Sequence, residues 1–298
     1  MNTNRRSFLQ AAFAATIVPA ALRAQDSKKE PLFKISLAEW SFHTALQKGK
    51  MKNTEFPVKA KELGFDGVEW VNQFWKDKAT DKAYLAELKK IVSDNGLVSV
   101  LIMCDGEGNL GDPDDAARTR AVENHRKWAE AAKFLGCHSI RVNAHAGDKG
   151  TREEQAKRAT DGLARLSDIG AEYGQNVIVE NHGGLSSDGA WLAGVIKATG
   201  KKNCGTLPDF GNFHTYDRYK GTDELMPFAK GVSAKSNDFD DKGNETHTDY
   251  RKMLDIVVKK HNYHGFIGVE YEGSKLSELD GTKATKALLE TIRKEMSA

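Results

Sequence analysis

The sequence is short of cysteine and of net charge. Its 298 residues include three cysteines, Cys104, Cys137 and Cys204, and this odd number at wide spacing fits neither a disulfide framework nor a zinc ribbon. The chain has 44 basic and 42 acidic residues, which gives a formal net charge of +2. Because no basic field is available for a phosphate backbone, we do not expect nucleic acid to be the main partner.

Apolar runs long enough to cross a membrane are also missing. The run near the N-terminus, from Ala11 to Leu22, is shorter than the roughly 20 apolar residues that span a bilayer. It follows Arg5 and Arg6 and ends among small residues, which is typical of a cleaved export signal. The segment RRSFLQ resembles a twin-arginine signal, so we expect the protein to be periplasmic or secreted.

The same features divide the chain into three parts. We predict an export signal over residues 1–24, a polar linker over residues 25–31 and a single domain over residues 32–298. Three arginines and no acids leave with the signal, so the formal charge of the mature protein falls to −1. No cysteine follows the apolar run, so we expect no lipid anchor and no membrane contact after cleavage.

Beyond the linker, eight short apolar runs alternate with longer segments that have helix start and stop signals. The runs are β-branched and nearly continuous, which favours strands covered on both faces, as in a parallel sheet. They read KISLAEW, GVEWV, LVSVLIM, SIRVNA, VIVEN, CGTLPDF, VSAKS and FIGVEY. Eight such units in about 265 residues predict a (β/α)8 TIM barrel, with an open doubly wound sheet as the alternative.

The helix-like segments carry recognisable capping signals. Thr151 and Glu154 have the spacing of a capping box at a helix N-terminus. Six glycines follow helical segments, where a left-handed cap residue is expected. They are Gly64, Gly96, Gly136, Gly174, Gly200 and Gly265.

Three carboxylates lie at the ends of predicted strands. Glu180 ends the fifth run, Asp209 the sixth and Glu270 the eighth. A carboxylate at the end of a buried strand is costly unless it is paired, hydrogen-bonded or bound to a metal. Because all three would meet at one rim of the barrel, we expect a divalent cation. Oxygen ligands favour Mn²⁺ or Mg²⁺, and an added imidazole would also admit Zn²⁺, Co²⁺ or Fe²⁺.

Four segments in order, VIVENHGG, GTLPDFGNF, VSAKSNDFD and GFIGVEYEG, resemble the xylose isomerase-like family of sugar isomerases and epimerases. The resemblance implies a metal held by Glu, Asp, His and Glu from strands five to eight, with the two glutamates also moving the proton. Carried over, the ligands are Glu180, Asp209 and Glu270, and Glu180 and Glu270 are catalytic. Ser233 stands where the family has histidine. The alternatives are a replacement ligand from His182, a water or a loop group, a weakly bound metal, or no metal.

Lys235 is the third candidate catalytic residue. It lies two residues beyond Ser233, so strand alternation points both side chains the same way. A lysine inside this tight run needs a carboxylate or substrate partner, which favours stabilisation of a developing enolate oxygen over a surface position. Five further residues are candidates for substrate binding: His182, Arg141, Asn143, Trp40 and His214.

Two other features have competing interpretations. Glu69 is either another carboxylate of the site or an ion-pair partner inside the barrel, and we favour a pair with Arg141. The segment GEGNLG, from Gly106 to Gly111, fits a dinucleotide-binding pattern, but the acidic residues around it would repel a pyrophosphate. We interpret it as an acidic loop over the barrel mouth.

Together these observations predict a metal-dependent sugar isomerase or epimerase. The enzyme would remove a proton next to a carbonyl and pass through an enediolate held by the metal and Lys235. One alternative is a lyase that eliminates a leaving group from 3-keto-glycosides. Another is a non-catalytic sugar-binding barrel that has lost its metal. The expected partner is a small carbohydrate, and a homodimer is possible.

Overall fold

A computed structural model of the protein describes residues 30–297. The predicted export signal, residues 1–24, and most of the predicted linker lie outside the described residues. Within the described range, no helix combines the length and the apolar character needed to cross a membrane.

Eight parallel strands form one curled sheet. The strands are β1 (Lys34–Ala38), β2 (Gly67–Val71), β3 (Val98–Met103), β4 (Ser139–Val142), β5 (Asn176–Glu180), β6 (Cys204–Leu207), β7 (Val232–Ser236) and β8 (Phe266–Tyr271). Their order is β6-β5-β4-β3-β2-β1-β8-β7.

The two outer strands of this order, β6 and β7, close the sheet on itself. Parallel bridges join Thr206 to Ala229 and Asp209 to Ser233. The amide of Ser233 donates to the carbonyl of Pro208 at 2.9 Å. The fold is therefore a (β/α)8 TIM barrel, as predicted, and the open doubly wound sheet was the wrong alternative.

Helices follow the strands around the outside of the barrel. They are α1 (His43–Gln47), α2 (Phe56–Glu62), α3 (Lys82–Asp94), α4 (Asp115–Asn124), α5 (Arg126–Leu135), α6 (Arg152–Glu172), α7 (Gly189–Thr199), α8 (Arg218–Leu225), α9 (Tyr250–Leu254) and α10 (Glu278–Ser297). A π-helical segment, Asp255–Lys260, continues α9. The main apolar core lies between strands and helices, and a second, smaller core contains strand residues alone, which places it in the barrel interior.

The predicted capping signals hold with one exception. Thr151 accepts a hydrogen bond from the amide of Glu154 and donates its own amide to the Glu154 carboxylate at 2.7 Å, which completes the capping box of α6. Five of the six predicted cap glycines have positive φ. Gly265 does not, because Asn262 supplies the left-handed residue before β8, so that prediction was wrong.

Close packing of α6 against the loop after β3 predicts a strong effect at Gly162. A Cβ atom there would lie 1.8 Å from the carbonyl oxygen of Leu110, so Gly162→Ala should destabilise the protein by about 1–3 kcal/mol. Gly194 in α7 has open space at the same position, and Gly194→Ala should stabilise by about 0.4–1 kcal/mol. Urea unfolding of both variants checks the pair. Equal free energies of unfolding for the two variants would contradict the close packing of Gly162 against Leu110.

Candidate active site

Three buried carboxylates meet at the C-terminal ends of the strands, and we call Glu180, Asp209 and Glu270 the acidic cluster. One ligand oxygen from each lies within 4.8 Å of the others. Burial raises the pKa of Glu180 to about 7, with Arg141 opposing and Glu270 adding to the rise. Burial likewise raises the pKa of Asp209 to about 7, opposed by Lys235 and reinforced by Glu180. Each of these two carboxyls therefore gains or loses its proton near neutral pH.

Asp209 is fixed by hydrogen bonds to both of its oxygens. Oδ1 accepts from the amides of Gly211 and Asn212, at 2.9 and 2.8 Å. Oδ2 accepts from the hydroxyl of Ser233 at 2.7 Å, so the residue at the family's histidine position holds the carboxylate in place. Asn181 bonds both the amide and the carbonyl of Asp209, at 2.7 and 3.0 Å. The aspartate is therefore held in one orientation toward the cluster.

Glu180 has one satisfied oxygen and one that accepts no hydrogen bond. Its Oε1 accepts from the side-chain amide of Asn212 at 2.8 Å. Its Oε2 lies 2.8 Å from Nε of Arg141, but the angle is unsuitable for a hydrogen bond and both atoms stay without one. Asn212 was not among the residues predicted from the sequence. A buried carboxylate oxygen with only ionic contact is free to take a cation or a proton.

Lys235 is 4% exposed and faces two carboxylates. Its Nζ lies 2.9 Å from Oε1 of Glu270 and 3.2 Å from Oε2 of Glu272. Burial alone would lower the pKa of Lys235, but Glu270 and Asp209 raise it well above its usual value, so the ammonium stays charged. The predicted carboxylate partner is present. Glu272, which sequence reasoning missed, follows Glu270 at the two-residue spacing that places strand side chains on one face.

Arg141 pairs with Asp105 and Glu180, so the predicted pair with Glu69 was wrong. Its Nη1 donates to Oδ1 of Asp105 at 2.8 Å, and Asn143 donates to the same oxygen at 2.7 Å. Although burial favours protonation, the charge and hydrogen bonds of Arg141 lower the pKa of Asp105 to about 2. The carboxyl of Asp105 is therefore ionised at neutral pH.

The strand register explains why Glu69 is out of reach. Arg141 pairs with Met103, whereas Glu69 pairs with Leu101, two residues deeper in the barrel. Glu69 instead accepts a hydrogen bond from Ser36 at 2.6 Å. Burial raises the pKa of Glu69 to about 8, so this deeper carboxyl is neutral at pH 7.

Two cavities are lined by residues at the C-terminal ends of the strands, and one of them includes Glu270 of the acidic cluster. The first, about 270 Å³, we call the tryptophan cavity, and it is lined by Trp40, Met103, Asp105, Arg141, Glu270 and Glu272 among others. The second, about 420 Å³, we call the histidine cavity, and it is lined by Asn109, His125, Asn143, His145 and Ser186 among others. His182 lines both. The GEGNLG loop contributes Gly106 to Asn109 to the second cavity, at the barrel mouth as predicted.

The candidate substrate-binding residues fall into two groups. Trp40, Arg141, Asn143 and His182 all line a cavity. The indole of Trp40 stacks on His43 and Phe74 and donates to Glu272 at 2.5 Å, so its rings already have aromatic neighbours. His214 is exposed with a φ of +51° and lines neither cavity, so the structure does not bring it to the site.

His182 stands apart from the acidic cluster. Within residues 30–297, the group of acidic, histidine and cysteine side chains close enough to hold one ion contains only the three carboxylates. Burial, together with the charges of Arg141 and Lys235, lowers the pKa of His182, so its imidazole is neutral at pH 7. A neutral imidazole at the junction of two cavities can donate and accept hydrogen bonds.

The chain belongs to the xylose isomerase-like TIM barrel family, because the sequence model of that family matches residues 57–295. No curated protein matches the sequence significantly.

Three solved structures illustrate the likeness. A 3-keto-D-glucoside 4-epimerase from E. coli is 17% identical, with 87% of this chain and 99% of that chain covered at a TM-score of 0.69. A D-psicose 3-epimerase, solved in the presence of D-fructose, is 14% identical, with 88% and 99% covered at 0.68. The IOLI protein with a bound zinc atom is 15% identical, with 88% and 99% covered at 0.72. At these identities the likeness establishes the fold.

The residues present suit a divalent cation. Three carboxylate oxygens converge, and Oε2 of Glu180 is a buried acceptor without a hydrogen bond. Two buried cations, Lys235 and Arg141, leave the site with an excess of acidic groups. An all-oxygen ligand set favours a hard ion such as Mn²⁺ or Mg²⁺, because His182 is outside the cluster.

Proposed function

We propose that the protein is a metal-dependent sugar isomerase or epimerase that removes a proton next to a carbonyl. The observation that carries the proposal is the acidic cluster with Lys235 against it, at the end of the barrel where TIM-barrel active sites form. The solved epimerases with the same fold support the sugar as substrate. A divalent ion in the cluster would polarise the substrate carbonyl and make the adjacent proton more acidic.

Glu180 is the proposed base. In the metal-free site burial raises the pKa of Glu180 to about 7, so this carboxyl can take up and release a proton near neutral pH, as a general base must. Asn212 orients one oxygen through a 2.8 Å hydrogen bond and leaves the other free to take the proton. Glu270 comes from β8, three strands away around the barrel. It is the proposed group that returns a proton, and return to the opposite face of the carbon gives the epimer.

Lys235 and Arg141 are the proposed stabilisers of the enediolate. Proton removal places negative charge on the former carbonyl oxygen, and a fixed cation in a water-poor site stabilises such charge strongly. Lys235 is held by Glu270 and Glu272, so it is positioned before the substrate arrives. Arg141 lines the tryptophan cavity and is held by Asp105.

A lyase acting on 3-keto-glycosides is the second candidate. The same enolate can expel a group from the neighbouring carbon, and this departure needs a proton donor. The neutral imidazole of His182 lies beside the tryptophan cavity, where it could donate to the departing oxygen. The structural neighbour that is a 3-keto-D-glucoside 4-epimerase makes this substrate class a reasonable choice for testing.

One experiment separates these functions. The purified protein is incubated with the diamagnetic ion Mg²⁺ in D₂O with a 3-keto-glucoside or with D-psicose, and the products are followed by NMR. Deuterium at the carbon next to the carbonyl, with an epimer, supports the isomerase or epimerase. Release of the aglycone supports the lyase. Binding without deuterium entry, with or without metal, contradicts both and leaves the non-catalytic sugar binder.

Export is proposed as well. The twin-arginine-like signal would place the enzyme in the periplasm or outside the cell. The homodimer predicted from the sequence also stays a prediction. A neutral glycoside is a more accessible substrate there than a sugar phosphate of central metabolism.

Metal affinity should depend on pH. Glu180 and Asp209 have pKa values of about 7, and a cation binds their ionised forms, so protons compete with it below pH 7. The apparent Mn²⁺ affinity should rise by about one to two log units per pH unit between roughly pH 5.5 and 7, then level off. Calorimetry of the wild-type protein with Mn²⁺ at a series of pH values checks this. An affinity independent of pH contradicts the assignment.

A further inference from the structure

The two cavities of the site meet at one residue. His182 lines both the tryptophan cavity and the histidine cavity, whereas Glu270 lines the tryptophan cavity alone. The tryptophan cavity, at about 270 Å³, is below the usual range of small-molecule sites, which runs from roughly 300 to 1,000 Å³. The histidine cavity, at about 420 Å³, adds room for a second chemical unit away from the acidic cluster.

The histidine cavity offers hydrogen-bonding groups that lack protein partners. His125 donates Nδ1–H to the carbonyl of Ala121 at 2.7 Å, which leaves Nε2 as an acceptor. Burial lowers the pKa of His125, so the imidazole stays neutral. Oδ1 of Asn143 is buried and accepts no hydrogen bond. His145 is exposed, and no hydrogen bond to its imidazole is found within residues 30–297. Sugar hydroxyls would satisfy all of these groups.

The charge of the histidine cavity excludes a phosphate. No lysine or arginine is among the described residues that line it. Glu107 is in the lining, with Oε1 accepting from Trp128 at 2.7 Å and Oε2 lying 3.0 Å from Nζ of Lys127. An anionic unit would meet the carboxylate of Glu107 and the neutral imidazole of His125 there, so a neutral polar unit is the better fit.

From these observations we propose that the substrate is a neutral glycoside of at least two sugar units. The reacting sugar occupies the tryptophan cavity beside Glu270, the second sugar occupies the histidine cavity, and the link between them lies at His182. The placing of the reacting unit rests on the proposed function, whereas the second subsite rests on the cavity and its partnerless polar groups.

Binding of unreactive ligands tests the second subsite. Methyl β-D-glucoside and methyl β-cellobioside carry no carbonyl, so calorimetry measures binding without turnover. The two-sugar ligand should bind the wild-type protein about tenfold more tightly, the gain expected from about two added hydrogen bonds. Equal affinity for the two ligands overturns the proposal.

Two variants test whether the tighter binding of the two-sugar ligand depends on the histidine cavity. Asn109→Phe places a larger side chain in the histidine cavity, and within residues 30–297 the Asn109 side chain makes no hydrogen bond that would be lost. His145→Ala removes one exposed imidazole from the same cavity. Both should reduce the preference for two sugars to threefold or less. His247→Ala is the matched control, because His247 is exposed and lies outside both cavities. A preference that survives Asn109→Phe also overturns the proposal.

The outcomes separate this subsite from the proposed function. If the two-sugar preference is found and lost in Asn109→Phe, the subsite stands even when no deuterium enters a keto-sugar. If deuterium entry is found and methyl β-cellobioside has no advantage, the proposed function stands and the subsite does not.

Discussion

Glu180→Gln should lower the rate of deuterium entry into a keto-sugar by about 10²–10⁴-fold, the contribution typical of a general base. Glutamine keeps the shape of the side chain but cannot take the proton. The wild-type carboxyl has one buried oxygen without a hydrogen bond, which is available to accept a proton. NMR of the substrate in D₂O measures the rate, and metal content is measured on the same samples.

Glu69→Gln is the matched control for this variant. Glu69 is also a buried glutamate inside the barrel, but burial raises its pKa to about 8, so a neutral glutamine resembles its state at pH 7. Its exchange rate should stay within about threefold of the wild type. If Glu180→Gln retains the wild-type rate, Glu180 is not the base.

Lys235→Met should destabilise the metal-free protein by about 3–5 kcal/mol, because removing one partner of a buried ion pair leaves the other charge uncompensated. The charge left behind is that of Glu270, whose Oε1 lies 2.9 Å from the ammonium. Mn²⁺ should recover much of the stability, since it can take the place of the missing cation beside Glu270. Chemical denaturation with and without Mn²⁺ measures both effects.

The same variant should lower the exchange rate by about 10²–10³-fold even with metal present, because the charge that stabilises the enediolate is gone. Lys275→Met is the matched control. Lys275 is 74% exposed and lies 2.9 Å from Asp238, and such surface pairs contribute about 0–1 kcal/mol. A metal-free Lys235→Met as stable as this control would contradict the buried pair.

The barrel could be predicted from sequence because its signals are local. The strands are short apolar runs, and several helices have a cap such as Thr151 or Gly136. The three carboxylates could be predicted as neighbours because the C-terminal ends of barrel strands share one rim. The strand pattern, the helix caps and the shared rim do not depend on which side chains are in contact across the barrel.

The pairing of charges inside the barrel could not be predicted in this way. Arg141 is in register with Met103, so Asp105 lies two residues further toward the barrel mouth, whereas Glu69 is in register with Leu101, two residues deeper. Register between strands follows from packing of the whole sheet. The position of His214 could not be predicted either, since its backbone is left-handed there and its imidazole is exposed.

The central claim is that Glu180, Asp209 and Glu270 together bind one divalent cation, and metal content tests it most directly. After incubation with Mn²⁺ at pH 8 and removal of free ion, wild-type protein and Glu69→Gln should each retain about one ion per chain. Asp209→Asn should retain almost none. A wild-type protein without bound metal, or an Asp209→Asn variant that keeps a full equivalent, would contradict the account.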